Sequence, residues 1–153
     1  KNNKQQYLIV EIFPLIEAFK KEGIEIKSFA YPFGAKTQTL DYELQKHFDI
    51  IRGTAKGDKK VADNANFYNG TRLANGIGID RNYEHFSLNY LTKVLNYAKK
   101  HNKIVVFYGH KPVDKATNEY EVNLKTLEMI CQFVVSNQMK FYTLKELNSL
   151  KKQ

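Results

Sequence analysis

Helical and strand-like segments alternate along this chain, and that alternation restricts the fold more than any other feature. Leu8 to Lys21 carries apolar residues at positions 8, 12, 15, 16 and 19, the spacing of one helix face. Pro14 is expected to kink that helix or to begin its second half. Gly23 is a helix stop, and Ile24 to Tyr31 reads as a strand. Thr37 to His47 is a second helix, with Thr37 or Thr39 as its cap and Leu40 and Leu44 on its buried face. Asp49 to Thr54 is a short strand, 56–72 an Asn- and Lys-rich loop, and Leu73 to Ile79 holds another short strand. Ser87 to His101 is a helix with Leu88, Leu91, Val94, Leu95 and Ala98 inside. Lys103 to Tyr108, β-branched and apolar, is the strongest strand, and 114–117 is a loop. Tyr120 to Asn137 is a long amphipathic helix with Val122, Leu127, Ile130, Cys131 and Val134 in its seam. Lys140 to Thr143 is the last strand and Leu144 to Leu150 a terminal helix. Strands that alternate with helices predict an α/β fold with a mostly parallel sheet, flanking helices and right-handed crossovers. Five strands fit either an open sheet or a piece of a barrel.

The length of 153 residues is that of one domain, and 1–153 shows no linker or internal repeat. Hydrophobic residues at 42% are enough for a core, and with 8 Gly and 3 Pro long disordered stretches are not expected. No apolar run is long enough to span a bilayer. The formal charge is +8, which draws acidic polymers. The lysines are scattered, however, and most fall at helix ends, where they suit the helix dipole. Only Arg52, Lys56, Lys59 and Lys60 form a loop cluster, so a solvated basic surface is expected and no nucleic-acid face. The single cysteine, Cys131, forms no intrachain disulfide and no zinc site of its own, and it reads as a small core residue.

Two strand ends carry chemistry. In α/β proteins the carboxyl ends of parallel strands are where sites are built. The first is Tyr31-Pro32-Phe33-Gly34, where Pro fixes one backbone angle and Gly frees another. Such a turn can aim a backbone N–H at a developing oxyanion, or it can be an ordinary turn with its rings packed on the core. The second is His110, which ends the run Ile104 to Gly109. An imidazole there serves as a general acid or merely bonds a loop carbonyl; both readings stand at this point. Arg52 is placed to neutralise an acidic partner, and Asp80 to orient a histidine or a sugar hydroxyl, with a structural ion pair or a turn cap as the plainer role of each. His47, His85 and His101 read as surface residues.

In combination these segments resemble the polysaccharide deacetylase family, the NodB-homology carbohydrate esterases. A helix ending in Lys20-Lys21-Glu22-Gly23 followed by Ile26 to Gly34 is similar to the family's third motif and its lead-in. Phe48 to Thr54 resembles the strand that follows, Val105 to His110 the fifth motif, and Phe141 to Leu147 the closing strand and helix. The resemblance covers nearly the whole chain and corresponds to the C-terminal part of the family domain. It implies part of an irregular, incomplete (β/α) barrel. It also implies a hydrolase that removes N- or O-acetyl groups from glycans such as chitin oligomers, peptidoglycan or exopolysaccharide, outside the cell, in the periplasm or at the cell surface. The implied mechanism uses zinc or another divalent metal, held by one Asp and two His, to activate water. Carried over, His110 is the acid that protonates the leaving amine and the backbone N–H of Phe33 helps bind the oxyanion. Tyr31, Pro32 and Phe33 form one wall of the substrate groove, and Asp80 matches the fourth motif.

The chain also departs from the family. Its paired-Asp and His-x-x-x-His motifs are lacking, and both are expected upstream of residue 1. Ala30 stands where many members have Arg, Phe33 where many have Tyr, and the fourth motif lacks its Trp. Without metal ligands this chain is expected to bind no metal and to be inactive alone. It is then the C-terminal part of a deacetylase that needs its missing N-terminal half, or that self-associates through an exposed sheet edge. Two other readings remain: a non-catalytic carbohydrate-binding relic, and a basic α/β module that binds an acidic polymer.

Overall fold

The computed structural model describes residues 6–58, 60–83 and 86–152. A π-helical turn, Leu8–Ile12, runs into α1, Phe13–Lys21. Then follow β1 (Ser28–Ala30), a 3₁₀ turn (Pro32–Gly34), α2 (Gln38–Leu44), β2 (Ile50–Ala55), a second 3₁₀ turn (Val61–Asp63) and β3 (Leu73–Gly78). The second half holds α3 (Leu88–Lys100), β4 (Phe107–Tyr108), β5 (Lys111–Val113), β6 (Glu121–Asn123), α4 (Leu124–Ser136), α5 (Leu144–Leu147) and a closing 3₁₀ turn (Ser149–Lys152).

Local chemistry accounts for most of these boundaries. Pro14 lies in the first turn of α1, where a missing N–H costs nothing, and the wider π turn stands just before it. Gly23, with φ of +72°, follows the end of α1 in the left-handed conformation that glycine adopts freely. Thr37 caps α2 by accepting from the Leu40 N–H at 3.2 Å, and Ser87 caps α3 by accepting from the Tyr90 N–H at 3.0 Å. Thr143 and Glu146 form a reciprocal capping box on α5.

The main sheet has four strands in the order β1-β2-β3-β4, all parallel, and it is curled into a half-barrel. In the ladder Ala30 lies beside Arg52, Thr54 beside Gly76, and Gly78 beside Tyr108. Side chains alternate between faces. The outer face packs under α1 and α2 through Leu8, Ile12, Leu40, Leu44, Phe48 and Ile51. Further along it packs under α3 and α4 through Ile79, Leu91, Leu95, Ile130 and Val134. Inside the curl, Ile50, Ala74 and Val106 pack on Leu147 of α5, which closes the amino-terminal end of the half-barrel. Above that plug the inner face carries Arg52 and Thr54, then Gly76 and Gly78, then Tyr108. Arg52 and Tyr108 sit on strands separated by β3, yet the guanidinium carbon lies 4.8 Å from the ring centroid. Gly76 permits this, since a Cβ there would stand 3.0 Å from the Tyr108 ring.

Several expectations require correction. β1 is only Ser28–Ala30, because only those three residues find partners on β2. β4 is only Phe107–Tyr108, because β3 ends at Gly78 and pairs no further; Val105 instead bridges Phe67 in antiparallel sense. Lys140 to Thr143 belongs to no strand, so the main sheet has four strands and not five. The stretch expected as a loop holds 3₁₀ turn Val61–Asp63. α4 begins at Leu124 because Glu121–Asn123 pairs in parallel with Lys111–Val113 as a separate two-stranded sheet. Val122 is therefore a buried strand residue, and Cys131 is exposed. His85 and Lys59 lie outside the described residues. No helix among the described residues is long and apolar enough to cross a membrane.

Candidate functional site

β3 and β4 run side by side to the carboxyl end of the sheet, and two residues beyond the Gly78–Tyr108 pair stand Asp80 and His110. Asp80 is fully buried. Its Oδ1 accepts from the His110 backbone N–H at 2.9 Å, and its Oδ2 lies 2.8 Å from Nδ1 of the ring. The turn between them is tight: a Cβ on Gly109 would stand 3.4 Å from Asp80 Oδ1. The other side of the imidazole faces outward, and the side chain is 51% exposed. A carboxylate accepts but does not donate, so Asp80 holds the Nδ1 proton and leaves Nε2 facing the open side.

Three tyrosines surround this pair. The Tyr120 ring stands edge-on to His110 with centroids 5.0 Å apart, and Tyr108 lies at 6.1 Å on another side. Tyr83 packs edge-on to Tyr108 at 5.8 Å and covers Gly78, where any Cβ would run into the ring. Burial, and then the hydrogen bond with Tyr108, push the Tyr83 hydroxyl above the usual phenol range. Tyr120 has a φ of +57° and is half exposed. Its N–H donates to Asn82 Oδ1 at 3.0 Å. The loop that presents it is clamped by Glu121, whose carboxylate accepts from the N–H groups of Asn118 (2.9 Å) and Thr117 (3.0 Å) and pairs with Lys111 Nζ (3.3 Å). The backbone donors, Asn118 before Thr117, hold this carboxyl at about 2. Arg81 ties the same loop down by donating from Nη1 to the Thr117 carbonyl at 2.6 Å.

The Pro32–Gly34 turn follows β1 at the same carboxyl end of the parallel sheet. Phe33 has a φ of +56° and its ring is fully exposed. The turn's own bonds use the N–H groups of Gly34 and Ala35, not that of Phe33. Gly34 has no side chain to collide with Thr54 of β2, which a Cβ would strike. Tyr31 differs from expectation. Its ring is 2% exposed, and its hydroxyl donates to Asp41 Oδ1 at 2.7 Å. Burial and then that carboxylate push the hydroxyl above its ordinary range. Tyr31 is thus a core residue and not a groove wall; of the three, Pro32 and Phe33 remain on the surface.

The sequence-derived residues therefore fall into groups. Asp80 and His110 are in contact. Arg52, in the middle of β2 and not at its end, joins them through Tyr108. Phe33 shares the rim but follows the opposite edge strand, three spacings of ~4.8 Å away along a flat sheet and less along a curled one. Lys60 pairs with Asp63 at 3.4 Å, so the basic loop is not one cluster with Arg52. His47 and His101 are exposed and pack on Phe13 and Tyr97. Sequence reasoning missed Tyr83, Tyr120 and Glu121. The acid-clamped loop of Glu121 carries no periodic signal, and only the φ-permissive Asn118 nearby hints at a turn.

Among the described residues no group of three or more His, Cys, Asp or Glu side chains stands together to hold a metal ion. The donor set of the metal implied by the deacetylase resemblance therefore does not fit onto these residues, and no step through a metal is derived from them. No family model, curated protein or solved structure gives a significant match to the chain.

Proposed function

We propose that this chain carries the proton-donating side of a glycan deacetylase, a hydrolase that removes acetyl groups from an acetylated glycan. The reading rests on the resemblance set out above, and one observation carries it furthest: the buried Asp80 holding Nδ1 of a half-exposed His110 at the carboxyl rim of a parallel half-barrel. When an acetamide C–N bond breaks, the departing nitrogen must take a proton. The imidazolium of His110 has one to give at Nε2, while Asp80 retains the one at Nδ1 and stabilises the charge until transfer. The N–H of Phe33 serves the carbonyl oxygen as it gains charge, and the exposed Pro32 and Phe33 offer apolar surface to a sugar face. The curled four-strand sheet is in keeping with part of the irregular (β/α) barrel of that family. Any metal that activates water in this proposal would have to be held by residues other than those described. They would pack where β1 has β2 as its one partner among the described strands and where Ile9, Val10 and Leu15 are exposed. A second copy of the chain is the other occupant of that surface.

The test uses the polypeptide that includes the metal-binding residues. His110→Ala there lowers release of acetate from N-acetylchitotetraose about 10²- to 10⁴-fold. Zinc bound per chain stays the same. Unchanged turnover removes His110 from the mechanism. Oligosaccharide binding without any acetate release, by the unsubstituted protein, favours the non-catalytic reading instead.

A further inference from the structure

A cleft of about 990 Å³ runs along β4 and reaches Gly109, the residue before His110. Arg52, Tyr108, Lys99, Lys103, Lys140 and Phe141 are among its lining residues, most of which are apolar. The residues that line it include four cationic side chains and no Asp or Glu. Such an imbalance is not forced by the fold, since acidic residues occur on the surface elsewhere. Asp80 is not among the residues that line the cleft; both its oxygens bond His110.

Arg52 is the informative member. It is half-buried on the inner face of β2, and it makes no ion pair among the described residues. Its guanidinium carbon lies over the Tyr108 ring, 4.8 Å from the centroid, and Gly76 leaves the space that makes this possible. A half-buried arginine without a carboxylate keeps its fork of donors available for a planar anion. The Tyr108 ring also neighbours His110, with ring centroids 6.1 Å apart.

We infer that the glycan bound here is acidic, and that Arg52 recognises a sugar carboxylate on the residue next to the acetylated one. The inference rests on the deacetylase reading and names its substrate class. The lysines of the cleft receive further carboxylates along the same chain, and Tyr108 and Phe141 supply apolar surface between them.

The experiment compares two tetrasaccharides that carry the same acetamido sugar. N-acetylchitotetraose is neutral, and a hyaluronan tetrasaccharide alternates N-acetylglucosamine with glucuronate. Calorimetric titration into the 153-residue chain is expected to show about tenfold or tighter binding of the hyaluronan fragment, the effect of a charge-assisted pair. The preference should shrink as salt is raised. Arg52→Gln is expected to remove most of it, while Lys93→Gln, which deletes the same charge from an exposed position on α3, leaves it intact. Should Arg52→Gln fail to fold by circular dichroism, Lys140→Gln and Arg52→Lys replace it, each expected to reduce the preference in part.

Equal or tighter binding of the neutral tetrasaccharide overturns the inference and leaves the deacetylase reading standing. A folded Arg52→Gln that keeps the full preference overturns the assignment to Arg52. Binding of neither sugar overturns the inference, while the deacetylase reading is decided by acetate release from the polypeptide that includes the metal-binding residues. Binding of polyglutamate or a single-stranded DNA oligonucleotide as tightly as hyaluronan shows a general polyanion surface and also overturns the inference.

Discussion

Asp80→Asn exchanges one carboxylate oxygen for an amide NH₂ and so reverses the direction of one hydrogen bond. In the native protein both oxygens accept from His110, at 2.9 Å from the backbone N–H and with 2.8 Å between Oδ2 and Nδ1. In the variant the amide oxygen keeps the backbone bond and the NH₂ faces Nδ1, which must then accept. The neutral imidazole therefore moves its proton from Nδ1 to Nε2. A hydrogen bond to a charged group contributes about 1.5–3 kcal/mol, and the half-exposed ring argues for the lower end. At about 1.4 kcal/mol per decade, the native Nδ1–H form is favoured at least ~10-fold. The assay is a long-range ¹H–¹⁵N correlation of the histidine ring at about pH 8.5, above ordinary imidazole titration. The native spectrum should show a protonated Nδ1 and the variant a protonated Nε2. Stability should fall by about 1.5 kcal/mol, which for a domain of this size lowers Tm by roughly 3–6 °C. Identical ring-nitrogen shifts in the two proteins would refute the reasoning, because Asp80 would then not govern the tautomer.

Phe33→Asn tests whether the exposed ring is kept at a cost. Asparagine tolerates the left-handed conformation better than phenylalanine, and no buried area is lost from a fully exposed ring. A gain of about 0.5–1 kcal/mol in urea unfolding is expected, together with weaker binding of N-acetylchitotetraose. A loss of stability would mean that the ring packs against something. Glu121→Gln tests the loop clamp by pH. The carboxyl stands at about 2 in the folded chain, and near 4.3 when unfolded. Its stabilisation is therefore fully present above about pH 5 and is lost as pH falls toward 2. The variant should be less stable at neutral pH, and the difference should close in acid. Urea midpoints that run parallel for the two proteins across that range would discard the clamp.

Much of the framework was legible locally. The caps at Thr37 and Ser87, the stop at Gly23 and the place of Pro14 depend on single residues and their immediate neighbours. The misreadings share one origin. Lys140 to Thr143 has the composition of a strand, but a strand exists only where another offers a ladder, and none is positioned there. Lys111–Val113 and Glu121–Asn123 are too short to show a period, and they exist because they meet each other. Cys131 lies in an apolar run longer than the seam of its helix. With 3.6 residues per turn, Ile130 and Val134 face the core while Cys131 and Val135 are turned to solvent.

The site divides in the same way. Asp80 and His110 were each recognisable as strand-end residues of suitable chemistry, thirty positions apart in the chain. Their partnership follows from the parallel register that sets Gly78 beside Tyr108, since each residue lies two steps further on. The contact of Arg52 with Tyr108 needs the curl of the sheet and the bare Cα of Gly76, neither of which local pattern encodes. Tyr31, placed by its motif at the groove, was drawn into the core by Asp41 and the rings around it. Amino-acid order alone thus determined the alternation of elements, the parallel sense of the sheet and which residue types reach its carboxyl rim, because these depend on short-range periodicity and caps. Tertiary structure decided which of those residues meet, which are buried and which way the imidazole faces, because hydrogen bonds between strands, and the curvature they produce, act between segments far apart in the chain.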